Sequence, residues 1–208
     1  MSPPLFENFS MTLEPGKSVA FIGFSGCGKS TLAKLITGLY TPWSGEVLFD
    51  GINIADIDRN EFTASVAMVD QDIVLFEGTI ADNIRLWDET IEDYDIVLAA
   101  RDAQIHSDII ARENGYQGML TEGGKNLSGG QRQRIEIARV LGQNPTLIVM
   151  DEATSALDNI TQKHVSDSLE KMGCTRIVIA HRLSTIQNCD RILVMDRGQI
   201  VGDGTYDG

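Results

Sequence analysis

Gly23, Gly28, Lys29 and Ser30 stand in the spacing G-x4-G-K-S, inside the stretch GFSGCGKST from Gly23 to Thr31. Glycines at those places let backbone N–H groups wrap a phosphate, the lysine adds a point charge, and the serine hydroxyl suits Mg2+. Gly23, Ser25, Gly26, Cys27, Gly28, Lys29, Ser30 and Thr31 are therefore the candidate phosphate cradle. A second chemical feature is the apolar run Leu147 to Met150, which ends in Asp151 and Glu152. An acid at the carboxyl end of an inner parallel strand lies where such sheets bind ligands. Asp151 is placed to hold Mg2+, and Glu152 to act as general base toward water attacking a γ-phosphate. The third feature is Leu127-Ser-Gly-Gly-Gln131, just ahead of a helical pattern. Ser128, Gly129, Gly130 and Gln131 put a hydroxyl and closely approachable amides at a helix N-terminus, an anion site. Ser128 is also a natural N-cap. This segment has no lysine of its own, so it reads as half a phosphate site that needs a partner.

The elements that must carry these residues follow from periodicity. Ser18 to Gly23 is a short β-branched and aromatic run entering a glycine turn, and helical spacing follows through Lys29, Leu32, Leu35, Ile36 and Leu39. Strand, glycine loop, helix is the context a phosphate loop requires. Glu46 to Phe49 and Ser65 to Val69 predict short strands, and Thr79 to Ala111 predicts two or three short helices. Glu113 to Asn126 is polar and glycine-rich, a loop. Helices are expected over Gly130 to Leu141, Ile160 to Met172 and Leu183 to Cys189. Strands are expected over Thr146 to Met150, Thr175 to Ile179 and Arg191 to Met195. The alternation predicts an α/β fold with a mostly parallel sheet flanked by helices.

The 208 residues suffice for one domain with a small insert, and 42% hydrophobic with 23% charged is ordinary for a globular chain. A net charge of −13 argues against a nucleic-acid partner, which needs a basic face. Phosphate binding is untouched by that balance, because it is built locally. Cys27, Cys174 and Cys189 form no zinc or disulfide spacing, which favours a reducing, cytosolic setting. Trp43, Trp87, His106 and His164 carry no ligand pattern, so no metal is expected beyond Mg2+. No run approaches the ~20 apolar residues of a membrane span.

Together these motifs resemble the nucleotide-binding domain of ATP-binding-cassette (ABC) transporters over nearly the whole chain. GFSGCGKST resembles the Walker A motif, LSGGQ the signature motif and LIVMDE the Walker B motif. The resemblance adds Gln71 in VDQD as the Q-loop residue, Asp158 in SALD as the D-loop residue, and His181 as the switch histidine. It implies a P-loop NTPase core of about 1–75 and 145–208. A small antiparallel β part and an α-helical insert of about 76–144, carrying the signature, complete the domain. It also implies ATP and Mg2+ as ligands, with Ser30, Gln71 and Asp151 at the metal. Gln71 would touch Mg2+ or the attacking water, and His181 would contact the γ-phosphate. Two copies are implied to sandwich two ATP molecules head to tail, Asp158 linking the two sites. A transmembrane domain is then a partner, and the cytoplasmic face of a membrane the location.

The stretch DQDIVLFEGTIADNIRLWD and TEGGKNLSGGQ resemble exporters, most of all peptide or bacteriocin exporters, with Glu122 at the X-loop position. Lipid or drug exporters are the alternative, followed by a soluble ABC ATPase outside transport; a small P-loop kinase leaves LSGGQ unexplained. The family's adenine-stacking aromatic belongs upstream of residue 1, and the family usually continues with a helix past Gly208. The chain is thus expected to be truncated at both ends, with Phe6 and Phe9 packing in the core instead.

Overall fold

The structure is a computed structural model and describes residues 4–180 and 182–206. In chain order its elements begin with β1 (Ser18–Ile22), α1 (Lys29–Ile36), β2 (Leu48–Phe49), β3 (Ile52–Asn53), α2 (Arg59–Ser65) and β4 (Val66–Val69). There follow β5 (Gly78–Thr79), α3 (Ile80–Arg85), α4 (Asp93–Asp102), α5 (His106–Ile110), β6 (Met119–Leu120) and α6 (Gly129–Gln143). The chain then runs through β7 (Leu147–Asp151), α7 (Asn159–Lys171), β8 (Thr175–Ile179), α8 (Leu183–Ile186), β9 (Arg191–Asp196) and β10 (Gln199–Gly204). Contacts divide it into two compact units: Met1–Met68, Thr146–Glu152 and Cys174–Gly208 form one, and Val69–Pro145 with Ala153–Gly173 the other.

The first unit is built on a six-stranded sheet in the order β10-β9-β1-β8-β7-β4. Strands β9, β1, β8 and β7 run parallel, and β10 turns back antiparallel on β9. Alternation along β1 explains its placement. Val19 and Phe21 join Leu32, Val149, Ile179 and Leu193 in one core cluster, while Ala20 joins Val178, Ile186 and Ile192 in another. Every residue of β7 is buried. A parallel strand covered on both faces must be apolar throughout, which is why LIVM carries no alternation. Phe6 and Phe9 pack against the first cluster, their rings edge to face at 5.4 Å, as expected for residues serving the core.

The second unit is mostly helical. α6 packs on α3 and α4, and α7 on α4. Ile80, Ile84, Ile96, Ile105, Ile109, Leu120, Ile135 and Ile137 are its largest fully buried side chains among the described residues. β5 and β6 form a two-stranded antiparallel ladder that pairs Gly78 with Leu120 and Thr79 with Met119.

Several boundaries differ from expectation. The strand expected from Glu46 begins only at Leu48, after the polar Gly45-Glu46 pair. The helix expected to Cys189 ends at Ile186, where Cys189 N–H closes a turn onto the Ile186 carbonyl. β10 and α2 are additional elements. β10 is an edge strand, glycine-interrupted and exposed at alternate residues, so it carries little hydrophobic signal. α2 buries no residue and is announced only by Asp58, whose carboxylate accepts from the Asn60 and Glu61 amides.

Candidate functional site

β1 delivers the chain to Gly23, and the phosphate loop then runs to the start of α1. Gly23 has φ +151°, and a Cβ there would lie 2.2 Å from the Met195 carbonyl oxygen, so only glycine fits. Gly28 has φ +111° and meets the Phe6 ring. As the residue before α1 it supplies no side-chain cap, which leaves the first amides of the helix available to an anion. Lys29 is 6% exposed. Its ammonium donates to the Gly23 carbonyl at 2.8 Å, to the Phe24 carbonyl at 3.0 Å and to Cys27 Sγ at 3.5 Å. None of the three partners is a carboxylate. A buried cation held without a carboxylate at the head of an uncapped helix is an arrangement suited to an anion. Ser25, Gly26 and Ser30 are exposed, Cys27 is buried, and Thr31 is half-buried.

Asp151 and Glu152 reach the same sheet edge. Phe21 and Asp151 are both in register with Ile179, so β1, β8 and β7 end level with one another. Asp151 is 3% exposed. Glu152 takes φ +52°, a left-handed conformation costly for a residue with a Cβ, and its N–H donates to the Ile179 carbonyl at 2.9 Å. Such strain is kept only where the surroundings impose it. The oxygen donors Ser30 and Asp151 fit Mg2+, which takes one or two protein oxygens and fills the rest with phosphate and water. No cluster of three or more His, Cys, Asp or Glu suited to a metal occurs among the described residues.

In the second unit, Ser128 caps α6. Its Oγ accepts from the Gln131 amide at 3.2 Å, while Gln131 Oε1 accepts from the Ser128 N–H at 3.0 Å, a reciprocal capping box. A Cβ on Gly130 would stand 3.3 Å from the Ala156 carbonyl oxygen, so the helix start lies close to the segment 155–158. Gln133 ties the two together, accepting from the Ala156 N–H at 2.9 Å. Asp158 caps α7, accepting from the Ile160 and Thr161 amides at 3.0 Å and from Thr161 Oγ1 at 2.7 Å. The Thr161 bonds hold its carboxyl below the usual range. Gln71 is exposed, just beyond β4. His181 lies outside the described residues.

The structure also brings in residues that the sequence reading passed over. Arg139 is buried in α6 and donates from Nε to the Asn83 carbonyl at 2.8 Å and from Nη2 to the Val74 carbonyl at 3.1 Å. Asn83 in turn accepts from the Phe76 N–H and donates to the Phe76 and Thr79 carbonyls. The loop that follows Gln71 is thereby pinned to the helix that follows the signature. Glu136 is 6% exposed, its Oε2 lacking a hydrogen-bond partner among the described residues. Burial pushes its carboxyl up to about 7, with Arg139 opposing and Asp70 reinforcing the shift. Gln133, Glu136 and Arg139 are spaced by three along one helix. No sequence signal marked them, because polar residues on a helix read as solvated until the covering helices are known.

Comparison with known proteins identifies the family and the fold. The family model for ABC transporters matches residues 6–155. The chain is 45% identical over 205 residues to an ATP-dependent lipid A-core flippase of Saccharophagus degradans, covering 98% of this chain and 35% of the flippase. It is 47% identical over 207 residues to multidrug resistance protein 1 of Entamoeba histolytica, covering 97% of this chain and 16% of that protein. A solved bacterial Atm1-family ABC exporter with ATP bound superposes with a TM-score of 0.92 at 39% identity, over 97% of this chain and 36% of that one. The chain thus spans about a third or less of the length of these relatives.

Proposed function

We propose, because the chain belongs to the ABC transporter family, that it is the ATP-hydrolysing motor domain of an exporter. The observation that carries this reading is Lys29, buried and hydrogen-bonded to two carbonyls and a thiol at an uncapped helix start, on the sheet edge where Asp151 and Glu152 also end. In this reading the glycine-loop amides and Lys29 bind the β- and γ-phosphates, and Glu152 takes the proton of the attacking water. Mg2+, held by Ser30, Asp151 and Gln71, would neutralise developing charge on the phosphates. His181 is assigned to the γ-phosphate.

The signature Ser128 to Gln131 is assigned to the ATP of a second copy, in a head-to-tail pair that Asp158 links across the interface. Its support is chemical: the capped start of α6 offers amides and a hydroxyl to an anion, but no cation among its own four residues. Closure on ATP and reopening after hydrolysis would move a membrane domain at the cytoplasmic face. No helix among the described residues is long and apolar enough to cross a membrane. We take residues 1–208 as one nucleotide-binding domain, its core about 1–75 and 145–208 and its helical insert about 76–144.

The exported substrate divides between two classes. The stretch from Asp70 to Asp88 favours peptide or bacteriocin, whereas the named relatives handle lipid A-core or confer multidrug resistance. The test of the motor is Glu152→Gln. Hydrolysis should fall at least a hundredfold, the usual worth of a general base, while ATP binding persists and two copies remain trapped as a pair. Turnover at the parent rate would remove Glu152 from the mechanism.

A further inference from the structure

Gln131 has a two-ended side chain, and both ends are engaged. Its Oε1 accepts from the Ser128 N–H at 3.0 Å, and its Nε2 donates to Asp108 Oδ1, on α5, at 3.3 Å. The other oxygen of Asp108 pairs with Arg134 at 2.7 Å, and Arg134 is only 18% exposed along its side chain. Arg134 Nε also donates to the Gly130 carbonyl at 3.3 Å. An amide turned the other way would face its NH2 toward the Ser128 N–H and its oxygen toward a carboxylate. Both contacts would repel, so Asp108 selects one orientation of the amide. That orientation keeps the capping box closed and holds Ser128, Gly129 and Gly130 in place. Arg134 neutralises the carboxylate, whose charge would otherwise stand near an incoming phosphate.

We infer that Asp108 is a positioning residue for the signature segment, and that through Gln131 it sets how tightly this segment takes the ATP held by a second copy. The inference rests on the head-to-tail reading given above. It separates two affinities that a general structural role would not separate. Nucleotide binding by a single copy depends on the loop at Lys29 and should ignore Asp108. Pairing driven by ATP should depend on it.

The experiment uses the 208-residue chain carrying Glu152→Gln, so that hydrolysis does not consume the pair. ATP binding is measured by equilibrium dialysis at concentrations too low for pairing, and pairing by sedimentation against ATP concentration. Asp108→Ala should raise the ATP needed for half-maximal pairing about fivefold, the ordinary worth of a helix cap, with single-copy binding unchanged. Asp108→Asn keeps an acceptor for Nε2 and should stay within about twofold of the parent. In a Gln131→Ala background, Asp108→Ala should add nothing, because the two changes remove one interaction. Pairing indifferent to Asp108→Ala, additive losses in the double variant, or equal damage from Asp108→Asn each overturn the inference. Absence of any ATP-driven pairing by the parent sinks the head-to-tail reading and this inference with it; pairing that ignores Asp108 sinks the inference alone.

Discussion

Lys29 concentrates the chemistry of the first unit into one atom. Its ammonium is buried, and among the described residues its hydrogen-bond partners are two carbonyls and a thiol, none of them a carboxylate. Lys29→Ala should weaken ATP binding at least tenfold, measured by titration with a fluorescent nucleotide; an unchanged dissociation constant would detach the lysine from the site. The tenfold figure corresponds to about 1.4 kcal/mol, near the low end for a charge-assisted hydrogen bond. Gly23 shows how tightly the loop is specified. A methyl group there meets the Met195 carbonyl oxygen well inside van der Waals contact, so this glycine serves the loop's path and not flexibility. Both residues could be read from the G-x4-G-K-S spacing alone, because the amide wrap needs those residue types at those intervals. Glu152 could be named from the sequence, but its left-handed backbone could not, since nothing in the letters of Asp-Glu-Ala-Thr requires φ +52° there.

At the scale of elements, α6 holds most of what the sequence left unread. Its N-terminal half carries the signature, and its buried stripe carries Gln133, Glu136 and Arg139. Gln133 fastens the segment before Asp158, and Arg139 fastens the loop after Gln71. Glu136 between them should leave a mark on stability. Its folded-state value of about 7 lies above the ordinary value of 4.5, so folding favours the protonated form. The benefit is full below pH 4.5, declines as pH rises toward 7 and stays lost above it. Glu136→Gln, neutral at every pH, should remove that decline. Over the same interval the parent should lose about 3 kcal/mol more than the variant in urea unfolding, and parallel stability curves would refute the shift. The helix itself was legible from Ser128, the apolar spacing and the Asn144-Pro145 stop. Its polar cargo was not, because a glutamate on a helix reads as solvated until the helices covering it are known.

At the scale of the molecule, the start of α6 presents a hydroxyl and amides while the four residues Ser128 to Gln131 include no cation, and the proposed pairing rests on that imbalance. Ser128→Arg should leave ATP binding by one copy intact and abolish ATP-driven pairing, because a long side chain would fill the space a phosphate must enter. Normal pairing by that variant, seen in sedimentation, would contradict the reading. The motifs, their order and the fold class were available from sequence alone. Phosphate chemistry demands short, local residue patterns, and a parallel sheet buried on both faces demands unbroken apolar runs such as Leu147 to Met150. Tertiary structure alone decided the level ending of β1, β8 and β7, the contact of Gln133 with Ala156, and the Asp108–Gln131–Arg134 cluster. Those depend on which distant segments meet, 23 residues apart for Asp108 and Gln131. Local spacing records what a residue can do; which neighbour it does it with is set by packing.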